Sequence, residues 1–163
     1  MSVTWDILRT YRAPREVVRR RAGGVPSEAR ALAVLLAGCL LLFVARLPAL
    51  RRQAFDDPSV PFEGLVAGAL VGVMFMAPLL FYVLAALSHL VAKLVGGAGT
   101  WYGARVALFW ALLAAAPAFL LSGLVQGFVG QGVAVSITGT LAGAVFLVFW
   151  VMGLIEVERR QPA

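Results

Sequence analysis

Residues 106–155 contain no Asp, Glu, Lys or Arg. A run of that length excludes an ordinary soluble core helix and holds two membrane crossings of roughly 20 residues each, with a short connection between them. Only 13% of the 163 residues are charged, about half the share usual in soluble domains. That leaves no room for a separate soluble domain of normal size. Cys39 stands alone, so no internal disulfide can form, and its place in an apolar run assigns it to packing. His89 is the single histidine, which excludes the His and Cys sets that hold zinc. Among fourteen basic residues only Lys93 is a lysine; this bias toward arginine, with abundant Ala and Gly, fits a GC-rich bacterial gene. The long apolar runs do not alternate with polar residues, which excludes barrel strands. Helices and closed barrels are the only structures that satisfy the backbone in lipid. The fold class expected is therefore an all-α membrane protein, a four-transmembrane-helix bundle preceded by short amphipathic basic helices.

Two further low-charge runs lie at residues 31–45 and 64–92. Spans are expected at about residues 28–47, 64–87, 103–125 and 134–155, between an arm at 1–27 and a tail at 156–163. Ser27 caps the first span, whose flanking Arg30 and Arg46 snorkel to opposite interfaces. Residues 51–63 read as a polar loop. Pro78 sits inside the second span and predicts a kink. Gly96-Gly97-Ala98-Gly99 makes a tight turn, followed by Trp101 and Tyr102 at the level of an interfacial aromatic belt. No small-x-small cleavage site follows the first apolar run, where Arg46-Leu47-Pro48 stands instead, so this span is expected to persist as a membrane helix.

The amino-terminal arm carries the densest charge. Thr4 is placed to cap a short helix with Trp5, Ile7, Leu8 and Tyr11 on one side, and Asp6, Arg9 and Thr10 facing away. Pro14 ends this helix and opens a second, basic one that stops at Gly23-Gly24. Trp5, Leu8, Arg9, Tyr11, Arg12, Arg15, Arg19, Arg20 and Arg21 are expected on the membrane surface, the arginines toward anionic lipid headgroups. A solvated arm that only sets topology is the other reading. Eleven basic residues fall on the side of the arm and tail and three on the other, so both termini are expected in the cytoplasm of a bacterial inner membrane. Basic charge concentrated at the amino terminus, next to a membrane segment, gives no reason to expect nucleic acid.

Chemistry-bearing patterns are few. His89 is expected at the cytoplasmic interface, dispensable and without metal. Asp56, Asp57 and Glu63 do not imitate a cation-binding loop and read as solvated. The glycine turn lacks the Gly-Lys-Ser/Thr ending of a phosphate loop. Ser88, Ser122 and Ser136 have no evident base. No enzymatic activity, cofactor or metal is expected, and the spans hold no interior Asp, Glu or Lys of the kind coupled transporters use. Gly64, Gly68 and Gly72, with Gly139 and Gly143 and the pair Gly123 and Gly127, form small-xxx-small faces. Gly64, Gly68 and Gly72 are expected to pack inside the bundle against the first or third span, self-association being the alternative.

The basic segment with Pro14, the succession of spans, the run Leu94-Val95-Gly96-Gly97-Ala98-Gly99 and the later helix bearing Pro117 together resemble the Yip (Ypt-interacting protein) family, in its bacterial branch. Members of that family typically carry one more span than the four expected here. In eukaryotes the family is associated with Rab GTPases and early secretory traffic. Bacteria lack that machinery, so the resemblance implies a membrane role without catalytic residues. The function expected is an interaction, scaffold or membrane-organising factor, with the bilayer, anionic lipids and a membrane-protein partner or second copy as partners. The alternative is a small transporter or permeation module that uses Pro78 and Pro117 to open a cavity.

Overall fold

The computed structural model describes residues 3–159. Two short helices, α1 (Val3–Thr10) and α2 (Pro14–Ala22), precede α3 (Glu28–Asp56), α4 (Phe62–Val71), α5 (Ala77–Leu94), α6 (Trp101–Val129) and α7 (Val133–Glu158). A π-helical stretch, Gly72–Met76, joins α4 to α5 into one membrane-length unit. Four helices are thus long and apolar enough to cross a bilayer. Their large apolar side chains point outward along much of α5 and α7, as Leu79, Leu80, Val83, Ile137 and Leu141 do. Such an exterior suits lipid.

Local chemistry sets the ends. Ser27 Oγ accepts from the Arg30 amide at 3.4 Å, and Thr100 Oγ1 accepts from the Gly103 amide at 3.0 Å, each satisfying a first-turn donor. Pro14 stands in the first turn of α2, where it has no hydrogen bond to lose. Thr4 lies inside α1, which begins at Val3, rather than capping it. The first crossing runs nine residues past its expected end at 47, to Asp56. Pro48 lies within it, and the Arg52–Asp56 pair at 3.1 Å supports the last turn. The expected loop at 51–63 shrinks accordingly to the few residues after Asp56. There Asp57 accepts from the Ser59 amide at 3.0 Å and its hydroxyl at 2.6 Å, which holds the Asp57 carboxyl below its ordinary range.

Pro78 follows directly on the π-helical stretch, and the Ala77 amide bonds back to the Gly72 carbonyl, five residues earlier. The wider turn makes room for a ring that would otherwise collide with the preceding turn.

Helix α6 is the axis. Residues 106–116 are all buried, the pattern of a helix surrounded on every side. Helices α1, α2, α3, α5 and α7 all pack on it, α3 and α7 most extensively. Close approach depends on glycine. A methyl at Gly123 or Gly127 would collide with the Ala45 carbonyl or with Pro48 of α3, and one at Gly38 would meet Leu112 at 3.0 Å. Gly153 on α7 admits Val18 of α2, whose Cγ2 would stand 3.3 Å from an added methyl.

The other glycine faces are open. A methyl at Gly68, Gly72 or Gly143 meets nothing within 4 Å, one at Gly64 meets only Pro61 at 3.6 Å, and one at Gly139 meets Ser122 Oγ at 3.7 Å. The close packing expected of Gly64, Gly68 and Gly72 against the first or third span is not made within the chain. They line instead a cavity of about 820 Å³ bordered by α3, α4, α6 and α7. The side chains of Leu42, Phe81 and Phe146 share its walls.

Candidate functional site

The polar residues that the bundle organises gather at one end, where the arm, the start of α3, the α5–α6 turn and the end of α7 meet. Two clusters define it, and a third pair, Arg105 with Glu28 at 2.8 Å, ties α6 to α3 between them.

The first cluster locks the arm. Asp6 is buried and accepts from both Arg20 and Arg21 of α2, the latter at 2.6 Å. Burial alone would raise the Asp6 carboxyl, but the hydrogen bonds and charges of the two guanidinium groups outweigh it and hold the group below its ordinary range. Arg21 in turn stacks over the Trp110 ring of α6 at 3.7 Å. The Trp110 indole donates to Thr10 Oγ1 at 3.0 Å, and that hydroxyl donates to the Asp6 carbonyl at 2.7 Å. Tyr11 donates to the Ala114 carbonyl at 3.2 Å and meets the Phe149 ring edge-on at 5.0 Å. Partial burial raises its phenol. Val17 and Val18 are buried against α6 and α7.

The arm therefore does not rest on the membrane surface with all its arginines free. Trp110 lies nine residues beyond Trp101, about 13 Å along α6, so the arm runs down the flank of the bundle. The inner side of α1 carries the polar Asp6 and Thr10, whereas α2 turns Val17 and Val18 inward and most of its arginines outward. Trp5, Leu8 and Tyr11 are exposed. Of the nine residues expected on the membrane surface, Arg9 pairs with Glu16 at 2.6 Å, Arg19 lies 3.6 Å from Glu156, and Arg20 and Arg21 hold Asp6. Arg12 and Arg15 are exposed and make no ion pair among the described residues.

The second cluster closes the end of α7. His89 is fully buried: its Nδ1 shares a 2.6 Å hydrogen bond with Glu158 Oε1, and its ring lies 4.5 Å from Trp101. Glu158 Oε2 accepts from the Gly99 amide at 2.9 Å, and the Glu158 carbonyl accepts from the Ala98 amide at 3.0 Å. The glycine turn thus wraps the carboxylate. A methyl at Gly97 would stand 2.7 Å from Glu158 Oε2 and one at Gly99 2.5 Å from the Val157 carbonyl, while Gly96 adopts φ +90°. Sequence reading missed Glu158, which falls in the tail expected at 156–163. A lone histidine seven residues before a glycine turn was the available signal, but nothing in the sequence paired it with a residue 69 positions away. Among the described residues no three His, Cys, Asp or Glu side chains come together to hold a metal.

Four apolar crossings, three of them packed on a buried central fourth, with the polar groups collected at one end, define a polytopic α-helical membrane protein. A family model for the Yip1 domain matches residues 8–161, nearly the whole chain. The chain belongs to the Yip1-domain family. No curated protein and no solved structure matches it.

Proposed function

We propose that the chain is a non-enzymatic scaffold or membrane-organising protein of the Yip type, placed in a bacterial inner membrane with both termini cytoplasmic. The docked arm is the observation that carries this reading. Its polar side is engaged by the bundle, and its outer side presents Trp5, Leu8, Arg12 and Arg15. A rigidly held surface of aromatic, aliphatic and basic groups fits a membrane interface or a partner helix lying at that interface. The eleven-to-three distribution of basic residues supports the orientation.

The test is purification in mild detergent after crosslinking in membranes, with mass spectrometry of what is retained. One membrane-protein partner should be recovered in stoichiometric yield and be lost in a Trp5→Ser/Leu8→Ser variant that melts like wild type. Recovery of no partner, together with solute flux through protein-containing liposomes, would replace this reading with the permeation alternative.

A further inference from the structure

A cavity of about 350 Å³ lies between the arm, the linker before α3 and the flank of α6, and its walls include Asp6, Arg20, Arg21, Arg30, Phe109 and Trp110. Its volume is at the lower end of small-molecule clefts. The charge around it does not balance. Asp6 answers Arg20 and Arg21, whereas Arg30 makes no ion pair among the described residues. Three guanidinium groups thus face one carboxylate. Arg21 Nε is moreover buried and makes no hydrogen bond among the described residues, although buried donors in folded proteins are nearly always satisfied. Arg30 is exposed at the rim and the Arg21 donor is buried, and together they leave a place for an anion.

Position and chemistry identify it. Arg30 is the third residue of a membrane-length helix and Tyr102, also on the wall, is the second residue of another. The cavity therefore opens at the level of the bilayer's headgroups. Guanidinium forks match phosphate oxygens in geometry as well as charge. Apolar groups complete the opposite wall, through Ala31, Val34 and Phe109, and Leu32 is exposed beside Arg30. We propose that this cavity binds the phosphate of one anionic phospholipid, the headgroup entering between Arg30 and Arg21 and the acyl chains lying outside along α3. The inference is independent of the scaffold reading, because lipid retention is measured on the isolated protein and partner recovery is not part of it.

The experiment is native mass spectrometry of the full-length protein titrated with dihexanoyl phosphatidylglycerol, dihexanoyl phosphatidylcholine or inorganic phosphate. Wild type should retain one phosphatidylglycerol per chain and bind phosphatidylcholine at least tenfold more weakly. Arg30→Gln should weaken phosphatidylglycerol binding about tenfold, the equivalent of one charge-assisted hydrogen bond, with Arg30→Lys intermediate and Arg12→Gln within twofold of wild type. Val34→Trp, which fills the cavity without removing a charge, should give a loss like that of Arg30→Gln. Equal binding by wild type and both cavity variants would overturn the proposal, as would equal affinity for the zwitterionic lipid. Displacement of the lipid by inorganic phosphate at equal concentration would reassign the site to a free anion and likewise overturn it.

Discussion

At the scale of single residues, space and partners decide the outcome. Gly123→Ala drives a methyl into the Ala45 carbonyl and should destabilise the protein by about 1–3 kcal/mol, the usual cost of overpacking a tight core. Gly68→Ala faces an open cavity and should melt within about 0.5 kcal/mol of wild type, as substitutions away from tight packing do. Thermal melting of both variants in one detergent decides between this account and one in which the Gly64–Gly68–Gly72 face is the packed one. His89→Ala removes the side-chain partner of Glu158 Oε1 in a buried setting, and about 1–3 kcal/mol should be lost. A melt unchanged from wild type would return His89 to the dispensable role that the sequence implied. The small-xxx-small spacing was legible in the sequence for both glycine pairs and triplets, but spacing names a face and not its neighbour. Gly123 and Gly127 meet Ala45 and Pro48 of α3 while Gly68 and Gly72 meet nothing, and no local pattern reports that.

At the scale of elements, the arm is the instructive case. The wheel set Trp5, Ile7, Leu8 and Tyr11 against Asp6, Arg9 and Thr10; Trp5, Leu8 and Tyr11 are exposed and Asp6 and Thr10 buried, whereas Ile7 packs half-buried against the core and Arg9 is half-buried beside Glu16. Reading the apolar side as the buried one is a rule for water, where apolar groups seek the core. Beside a bilayer the rule turns over: the apolar side can face lipid while Asp6 and Thr10 meet Arg20, Arg21 and Trp110 inside. A prediction about pH follows. Because the folded-state Asp6 carboxyl is held below its ordinary value, its contribution is fully present above about pH 3.9, the unfolded value, and is lost as pH falls through the depressed folded value. Acidification below that point should release α1, seen as new proteolysis in the arm with the four crossings still helical by circular dichroism. Asp6→Asn should produce the same release at neutral pH. An arm equally protected in wild type and Asp6→Asn would show that the ion cluster is not what holds it. The π-helical stretch was foreshadowed by Pro78, which requires some departure from the α-helical ladder, though composition could not say whether a kink or a widened turn would absorb it. Likewise Arg51, Arg52 and Asp56 look like loop residues, yet they form the last turns of α3, where Arg52 and Asp56 make an i,i+4 ion pair.

At the scale of the whole molecule, fifty residues without charge made the class evident, and the four-helix membrane fold needs little beyond that and the other two apolar runs. The order of packing around α6 was not legible, since apolar side chains cover every face of every span and lipid and protein are equally good neighbours for them. Orientation is open to direct test. In a Cys39→Ala background, a thiol at Ser59 should react with an impermeant reagent from outside intact cells, and one at Val25 should not. Reaction at Val25 alone would invert the topology. The central claim is that the amino-terminal arm is a structural layer of the bundle and not a free basic tail. An added methyl at Gly153 stands 3.3 Å from Val18 Cγ2, close enough for a disulfide between these positions. Oxidation of native membranes carrying Val18→Cys with Gly153→Cys, in the Cys39→Ala background, measures the claim directly. The account predicts near-complete formation of an intramolecular disulfide, identified by mass after proteolysis. Two thiols that stay reduced and label freely under the same oxidation would contradict it.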